Sequence, residues 1–161
     1  MRTRFLIFVG LTFCFFLLIS CNSNSSTKTA NATDFKRFVQ DWNKAHISKD
    51  VGVFSNLFDN TVLFYGTKKD KNSCIESKLL FFKKYPDFYQ QIYGDIQVDS
   101  INDTEVKCSF VKRVTVNQAT TNYPSYLIFK KSENYWKIIM ESDLVTDKNL
   151  ANKEQDRKSV V

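Results

Sequence analysis

Lys112 is the residue whose type and position most clearly suggest chemistry. It lies between Phe110 and Val114 in a segment where apolar and polar residues alternate, so its side chain is expected on the inward face of a strand. A lysine in that position must pair with an acid or lose its charge, and Glu141 or Asp143 on the last predicted strand is the natural counter-ion. Such a pair suits the binding of a polar ligand and equally a structural brace. A bulge would instead turn Lys112 towards solvent.

His46 is the only histidine of the chain and follows Trp42 by one turn on the apolar face of the first predicted helix. Its imidazole titrates near neutral pH and could act as a general base, or it could be a packed, hydrogen-bonded helix residue. The candidate catalytic residues are Lys112, Glu141 and His46.

Three tyrosines on predicted strands could point their hydroxyl groups into a pocket, or could be ordinary half-buried residues of the sheet. With the groups above they complete the candidate ligand-binding set, which is Trp42, Tyr65, Tyr93, Lys112, Tyr126, Glu141 and Asp143.

Metal and cofactor chemistry lack sequence support. One histidine and no paired-cysteine motif give no zinc site, and the chain has no motif for nucleotide, phosphate or serine-hydrolase chemistry. We therefore expect no metal and no cofactor. The net charge of +6 falls to +4 without Arg2 and Arg4, because 6 − 2 = 4, and the remaining charges of both signs are interleaved. No nucleic-acid partner is expected.

The N-terminus has the pattern of an export signal. Arg2 and Arg4 precede an apolar run over residues 5–19, which is short for a bilayer span. The run ends in the sequence LISC at residues 18–21, which resembles the lipobox of bacterial lipoproteins. That resemblance implies a signal peptide over residues 1–20, a lipid on Cys21 and a membrane anchor. Because Asn22 is not the aspartate that retains some lipoproteins in the inner membrane, the resemblance favours the periplasmic face of the outer membrane, with the inner membrane as the alternative. An uncleaved anchor with an incidental cysteine is the alternative.

The two other cysteines outside the leader, Cys74 and Cys108, leave two possibilities open. In an oxidising compartment they could form a disulfide, or they could be two buried thiols.

The periodicity of the chain predicts one α+β domain over residues 34–147, after a polar tether over residues 21–33 and before a polar flexible tail over residues 148–161. Helices are predicted after Asp34 and Asp50, and a third, capped by Asn72 or Ser73, ends before Pro86. The third is expected to turn Ile75, Leu79 and Phe82 inward. A strand at residues 61–65 and four strands after Pro86 complete the fold, with a bulge at Gly94.

The order and residue pattern of these segments resemble those of the nuclear-transport-factor-2-like superfamily, which includes ketosteroid isomerase, scytalone dehydratase and polyketide cyclases. The resemblance rests on residues 38–46 (FVQDWNKAH) followed by Lys49 and Asp50, on residues 62–66 (VLFYG) and on residues 135–139 (YWKII). It implies a cone-shaped fold in which three N-terminal helices pack on a curved, mostly antiparallel sheet around an apolar pocket. It also implies a homodimer through the outer face of the sheet.

Three functions remain open. The first is a lipid-anchored, non-catalytic domain that binds a small apolar or amphiphilic ligand or a protein partner. The second is a small isomerase, dehydratase or cyclase that uses the Lys112–carboxylate pair. The third is an interaction module whose pocket is filled. A filled pocket would exclude the first two, and an open one in which Lys112 meets a carboxylate would favour the enzyme.

Overall fold

The computed structural model describes residues 30–159. The expected signal peptide, Cys21 and most of the expected tether lie outside this part of the chain. The elements are α1 (Ala32–Ser48), α2 (Val51–Leu57), β1 (Phe58–Phe64), β2 (Thr67–Asp70), α3 (Lys71–Lys84), β3 (Tyr89–Asn102), β4 (Glu105–Val116), β5 (Ala119–Ser132), β6 (Tyr135–Asp143) and α4 (Leu144–Ser159). None of the helices within residues 30–159 is both long and apolar enough to cross a bilayer.

The six strands form one mixed sheet in the order β2-β1-β6-β5-β4-β3. Every neighbouring pair is antiparallel except β1 and β6, which are parallel. This arrangement confirms the predicted α+β class and adds one strand, β2, which is too polar to be recognised from its sequence. The predicted bulge is also present: Gly94 has φ of +78°, and the pairing of β3 with β4 shifts register between Tyr93 and Gln97.

Helix α1 supplies much of the core because its apolar residues recur on one face. Phe35, Val39, Trp42 and Ala45 are all buried. The ring of Phe35 packs 5.7 Å from that of Phe129 on β5, between ring centroids. Burial of a side chain of this size stabilises a fold by about 1.5–3 kcal/mol, so this face fixes α1 against the sheet.

The start of α1 differs from the prediction. Asn31, rather than Asp34, is the N-cap residue, and its side chain accepts a hydrogen bond from the backbone N–H of Asp34. The Asp34 carboxylate in turn accepts from the backbone N–H of Asn31, which completes a capping box. The expected tether therefore ends before residue 31.

The inward face of α3 also differs. Asp70 caps this helix through the backbone N–H of Ser73, instead of Asn72 or Ser73 acting as the cap. The buried residues are Cys74, Lys78 and Phe82, whereas Leu79 is 38% exposed.

Helix α4 occupies residues that were expected to form a flexible tail from residue 148 onwards, and that expectation is corrected. The helix begins where Asp143 Oδ1 accepts a hydrogen bond from the backbone N–H of Thr146. Asp147 then accepts hydrogen bonds from Tyr126 on β5 and Ser142 on β6, at 2.9 and 2.6 Å. These contacts hold the first turn of α4 against the sheet.

Candidate ligand-binding site

A cavity of about 590 Å³ lies between α1, α3 and the inner face of the sheet. Its wall is mostly apolar and aromatic, formed by Phe64, Phe81, Tyr85, Phe88, Val114 and Val116. At one end the lining is ionisable, with His46, Tyr65, Lys78, Lys112 and Asp143. This volume and this lining are typical of pockets for small molecules.

Lys112 reaches the cavity because of the alternation along β4, in which Val106, Cys108, Phe110 and Lys112 are all buried. Its Nζ donates a hydrogen bond of 2.8 Å to the hydroxyl of Tyr65 and lies 3.4 Å from Asp143 Oδ2. Of the two acids considered from the sequence, Asp143 is thus the counter-ion of Lys112.

Glu141 belongs to a second ion pair. Its side chain is 1% exposed and does not line the cavity. Oε1 accepts from Lys78 Nζ at 2.7 Å and from the Tyr65 hydroxyl at 3.3 Å, and Oε2 accepts from Trp42 Nε1 at 3.0 Å. Three donors therefore compensate a carboxylate that has almost no contact with solvent.

Lys78 is the ionisable residue at this cavity that the sequence pattern does not predict. Besides Glu141, its Nζ lies 2.8 Å from His46 Nε2 and 4.6 Å from the ring centroid of Phe54, a distance suited to a cation–π interaction. Burial lowers the pKa of Lys78, and the negative charge of Glu141 opposes that shift. The spacing Cys74-Lys78-Phe82, one turn between successive members, was the signal that could have placed it on the inner face.

His46 is held as a neutral imidazole. Its Nδ1 lies 2.8 Å from the carbonyl oxygen of Trp42, which can only accept, so Nδ1 carries the proton and Nε2 accepts from Lys78. Burial, and next the positive charge of Lys78, lower the pKa of His46 well below 6.5. The imidazole is therefore a packed, hydrogen-bonded group that also reaches the cavity.

Tyr65 joins the two ion pairs. Its hydroxyl accepts from Lys112 and donates to Glu141, and its backbone N–H donates to the Glu141 carbonyl at 2.8 Å. Its φ is +47°, an uncommon value for a residue other than glycine, and these three bonds hold the backbone there. Burial raises the pKa of the Tyr65 hydroxyl well above 10, and the charges of Glu141 and Asp143 add to that rise.

Not every residue of the predicted ligand-binding set lies at this cavity. Trp42 belongs to the hydrogen-bond network but does not line the cavity. Tyr93 is 51% exposed and stacks on the guanidinium of Arg113, at 3.7 Å from its ring centroid. The hydroxyl of Tyr126 donates a hydrogen bond to Asp147 on α4. The cavity thus brings together Tyr65, Lys112 and Asp143, with His46 and Lys78.

The two cysteines in the described part of the chain are free and buried, which corresponds to the second of the two possibilities considered above. Burial raises the pKa of Cys74 to about 11 and that of Cys108 to about 12, so neither is a reactive thiolate at neutral pH. Residues 30–159 contain no group of three or more side chains that could hold a metal ion.

Comparison with known proteins gives matches to solved structures only. No family model and no curated protein sequence matches the chain. Bd1075 of Bdellovibrio bacteriovorus matches with 19% identity and a TM-score of 0.59 over 69% of this chain, which spans only 39% of Bd1075. An NTF2-like protein of Cytophaga hutchinsonii matches with 16% identity and a TM-score of 0.56, over 71% of this chain and 98% of that protein.

A third solved structure, of a Pseudomonas putida protein proposed to be a polyketide cyclase, matches with 15% identity and a TM-score of 0.50. The match covers 67% of this chain and 88% of that protein. At these identities the likeness concerns the fold, and the function must be argued from the site.

Proposed function

Since residues 30–159 adopt the nuclear-transport-factor-2-like fold, we propose that the chain is a lipid-anchored protein of the bacterial envelope whose domain binds a small amphiphilic molecule without catalysis. The observation that carries this proposal is the cavity, which has an aromatic and aliphatic wall and one ionisable end. An apolar group would pack against Phe81, Phe88 and Val114, and a polar group would meet Lys112.

The open cavity argues against an interaction module with a filled pocket. Trp42 and Phe35 are buried in the core, yet the space between α3 and β4 remains free. A module that used only the surface of its sheet would gain stability by filling such a space.

The hydrogen-bond network supports binding over catalysis. General acid–base chemistry requires a proton or a lone pair directed at the substrate. Here the Glu141 carboxylate accepts from Trp42, Lys78 and Tyr65, and the single proton of Tyr65 is directed at Glu141. His46 Nε2 is directed at Lys78. Glu141, Tyr65 and His46 thus direct their protons and lone pairs at neighbouring protein groups rather than at a substrate.

The proposed location in the bacterial envelope rests on the sequence around Cys21. A lipid at this residue would leave the polar residues 22–29 as a short link to α1, so the cavity would be held close to a membrane that is rich in amphiphilic molecules.

The proposal is tested by recovering the bound molecule. The full chain is extracted from the envelope in mild detergent and examined by native mass spectrometry, in parallel with Val114→Trp, which places a bulky ring in the cavity, and Leu80→Trp, which adds the same ring on the exposed face of α3. We expect one small-molecule adduct on the wild type and on Leu80→Trp, and none on Val114→Trp. No adduct on the wild type, or an equal adduct on all three, contradicts the proposal.

A second candidate function is favoured by one observation. Lys112 and Asp143 do meet at the open cavity, beside the hydroxyl of Tyr65, which is the arrangement expected of a small isomerase, dehydratase or cyclase. Incubation of the recovered molecule with fresh protein separates the two functions. A binding protein returns it unchanged, whereas an enzyme produces a product of different mass or structure, and Lys112→Met abolishes that conversion.

A further inference from the structure

We propose that the cavity selects an uncharged amphiphile whose polar end is a hydrogen-bond acceptor, and that it rejects carboxylates and amines of the same shape. This inference deepens the proposed function and rests on it. It comes from the charge balance of the groups at the polar end and from a hydrogen-bond donor that Lys112 leaves available.

The charges at the polar end sum to zero. Lys78 pairs with Glu141 at 2.7 Å, and Lys112 pairs with Asp143 at 3.4 Å. Moving a proton within either pair does not alter that pair's total charge, so the balance does not depend on where each proton resides. These four side chains are each at least 90% buried, so solvent does little to screen an additional charge.

His46 and Tyr65, which contact the two ion pairs, add no charge at neutral pH. The Nδ1–H of His46 donates to the Trp42 carbonyl and its Nε2 faces the Lys78 ammonium, so a second proton on the ring would face a cation. The hydroxyl of Tyr65 donates to Glu141, and its ionisation would place two anions in contact.

Lys112 supplies the donor. An ammonium group has three N–H bonds, and in the described part of the chain the hydrogen-bond and ion-pair partners of Lys112 are the Tyr65 hydroxyl and Asp143. One N–H therefore remains for a ligand. Lys78 is less available, because its Nζ already contacts Glu141 and His46 and is surrounded by the rings of Phe54, Phe58, Phe64 and Trp42.

A charged ligand would disturb the balance. A carboxylate bound to Lys112 would lie beside Asp143 and leave one negative charge uncompensated in a buried site, and an amine would leave one positive charge. A carbonyl or ether oxygen accepts the same hydrogen bond and leaves the sum at zero. The neighbouring aromatic and aliphatic wall, which includes Phe81, Phe88 and Val116, would hold the apolar part of such a molecule.

Three probes with eight carbon atoms each test this selection: 2-octanone, octanoate and octylamine. At pH 7 the carboxylate and the amine are both charged. Each is titrated calorimetrically into the full chain in detergent, and the Val114→Trp variant in the same detergent is the blank for partition into micelles. We expect 2-octanone to bind, and each charged probe to bind about tenfold or more weakly, because each leaves a buried charge without a partner.

Asp143→Asn supplies the decisive variant. It keeps an oxygen for the backbone N–H of Thr146 but changes the sum of charges to +1, so octanoate should now bind more tightly than 2-octanone. Asp41→Asn, on the surface of α1 with a side chain 44% exposed, is the matched control and should keep the wild-type order.

The outcomes separate the inference from the proposed function. If no probe binds the wild type more than Val114→Trp, the cavity does not bind amphiphiles and the proposed function fails. If octanoate or octylamine binds the wild type as well as 2-octanone, the cavity binds ligands but the selection for uncharged ones is wrong. An unchanged order in a folded Asp143→Asn overturns the charge argument in the same way.

Discussion

Trp42 Nε1 donates a hydrogen bond of 3.0 Å to Glu141 Oε2 and thereby joins the first helix to the last strand. The same carboxylate holds Lys78 of α3 and Tyr65 of the β1–β2 turn. One side chain on β6 thus connects three separate parts of the chain, and loss of its charge should lower the stability of the whole domain.

Glu141→Gln should destabilise the fold strongly. The variant keeps the shape of the side chain but leaves the Lys78 ammonium buried without a counter-charge, which costs about 3–5 kcal/mol. Urea unfolding measures this cost. Glu105→Gln is the control, because the pair of Glu105 with Lys130 is partly exposed and its loss should cost less than about 1 kcal/mol. Similar losses in the two variants would show that Glu141 is not the counter-charge of Lys78.

Lys112→Met should lower the free energy of unfolding by at least about 1 kcal/mol, because Asp143 then lies buried without its ammonium partner. Lys130→Met removes a half-exposed lysine from the neighbouring strand and should change stability little. Thermal unfolding of both variants gives the comparison. An effect of Lys112→Met no larger than that of the control would place the Lys112 ammonium in solvent.

The stability of the fold should decrease as the pH falls below about 6.5. Burial, and next the positive charge of Lys78, keep the pKa of His46 well below its value of 6.5 in an unfolded chain, so in this range the unfolded state binds the additional proton. Stability therefore rises with pH through this window, and about 1 kcal/mol should be lost between pH 7.5 and 5.5.

The contribution of His46 can be isolated by comparing the wild type with His46→Gln in urea unfolding at both pH values. The carboxylates contribute similarly to both proteins, so their share cancels. The variant should show a smaller loss between pH 7.5 and 5.5. Equal losses in the two proteins would mean that His46 is not held neutral by the fold.

Cys21→Ala should abolish incorporation of labelled palmitate in growing bacteria, because the thiol of Cys21 is the expected site of the lipid. Cys14→Ala alters a cysteine within the expected signal peptide, before Cys21, and should leave labelling intact. The measurement is the amount of palmitate label on the immunoprecipitated protein. Labelling of the Cys21→Ala variant would refute the lipid anchor.

Much of this fold can be predicted from sequence because the strongest periodic signals agree with burial. The alternation along β4 places Lys112 inward, and the helical period of α1 places Trp42 and His46 on the buried face. The bulge at Gly94 follows from the same logic, since a glycine in a strand costs little in a positive-φ conformation.

The parts that could not be predicted are those where polar residues are buried or apolar residues are exposed. On α3 the more hydrophobic Leu79 and Leu80 are exposed, whereas Lys78 turns inward because Glu141, distant in the sequence, compensates its charge. Tyr126 was expected at the cavity, but its hydroxyl is bonded to α4, a helix whose polar sequence gave no sign of an apolar face.

The parallel pairing of β1 with β6 makes folding of the first strand depend on the last one. A chain that ends before residue 138 has the residues of α1, α3 and five strands, but β1 lacks β6, the strand that separates it from β5 in the sheet. It also lacks Glu141, so Lys78 has no carboxylate with which to form a buried ion pair. Native structure therefore requires strand β6 as well as the elements that precede it.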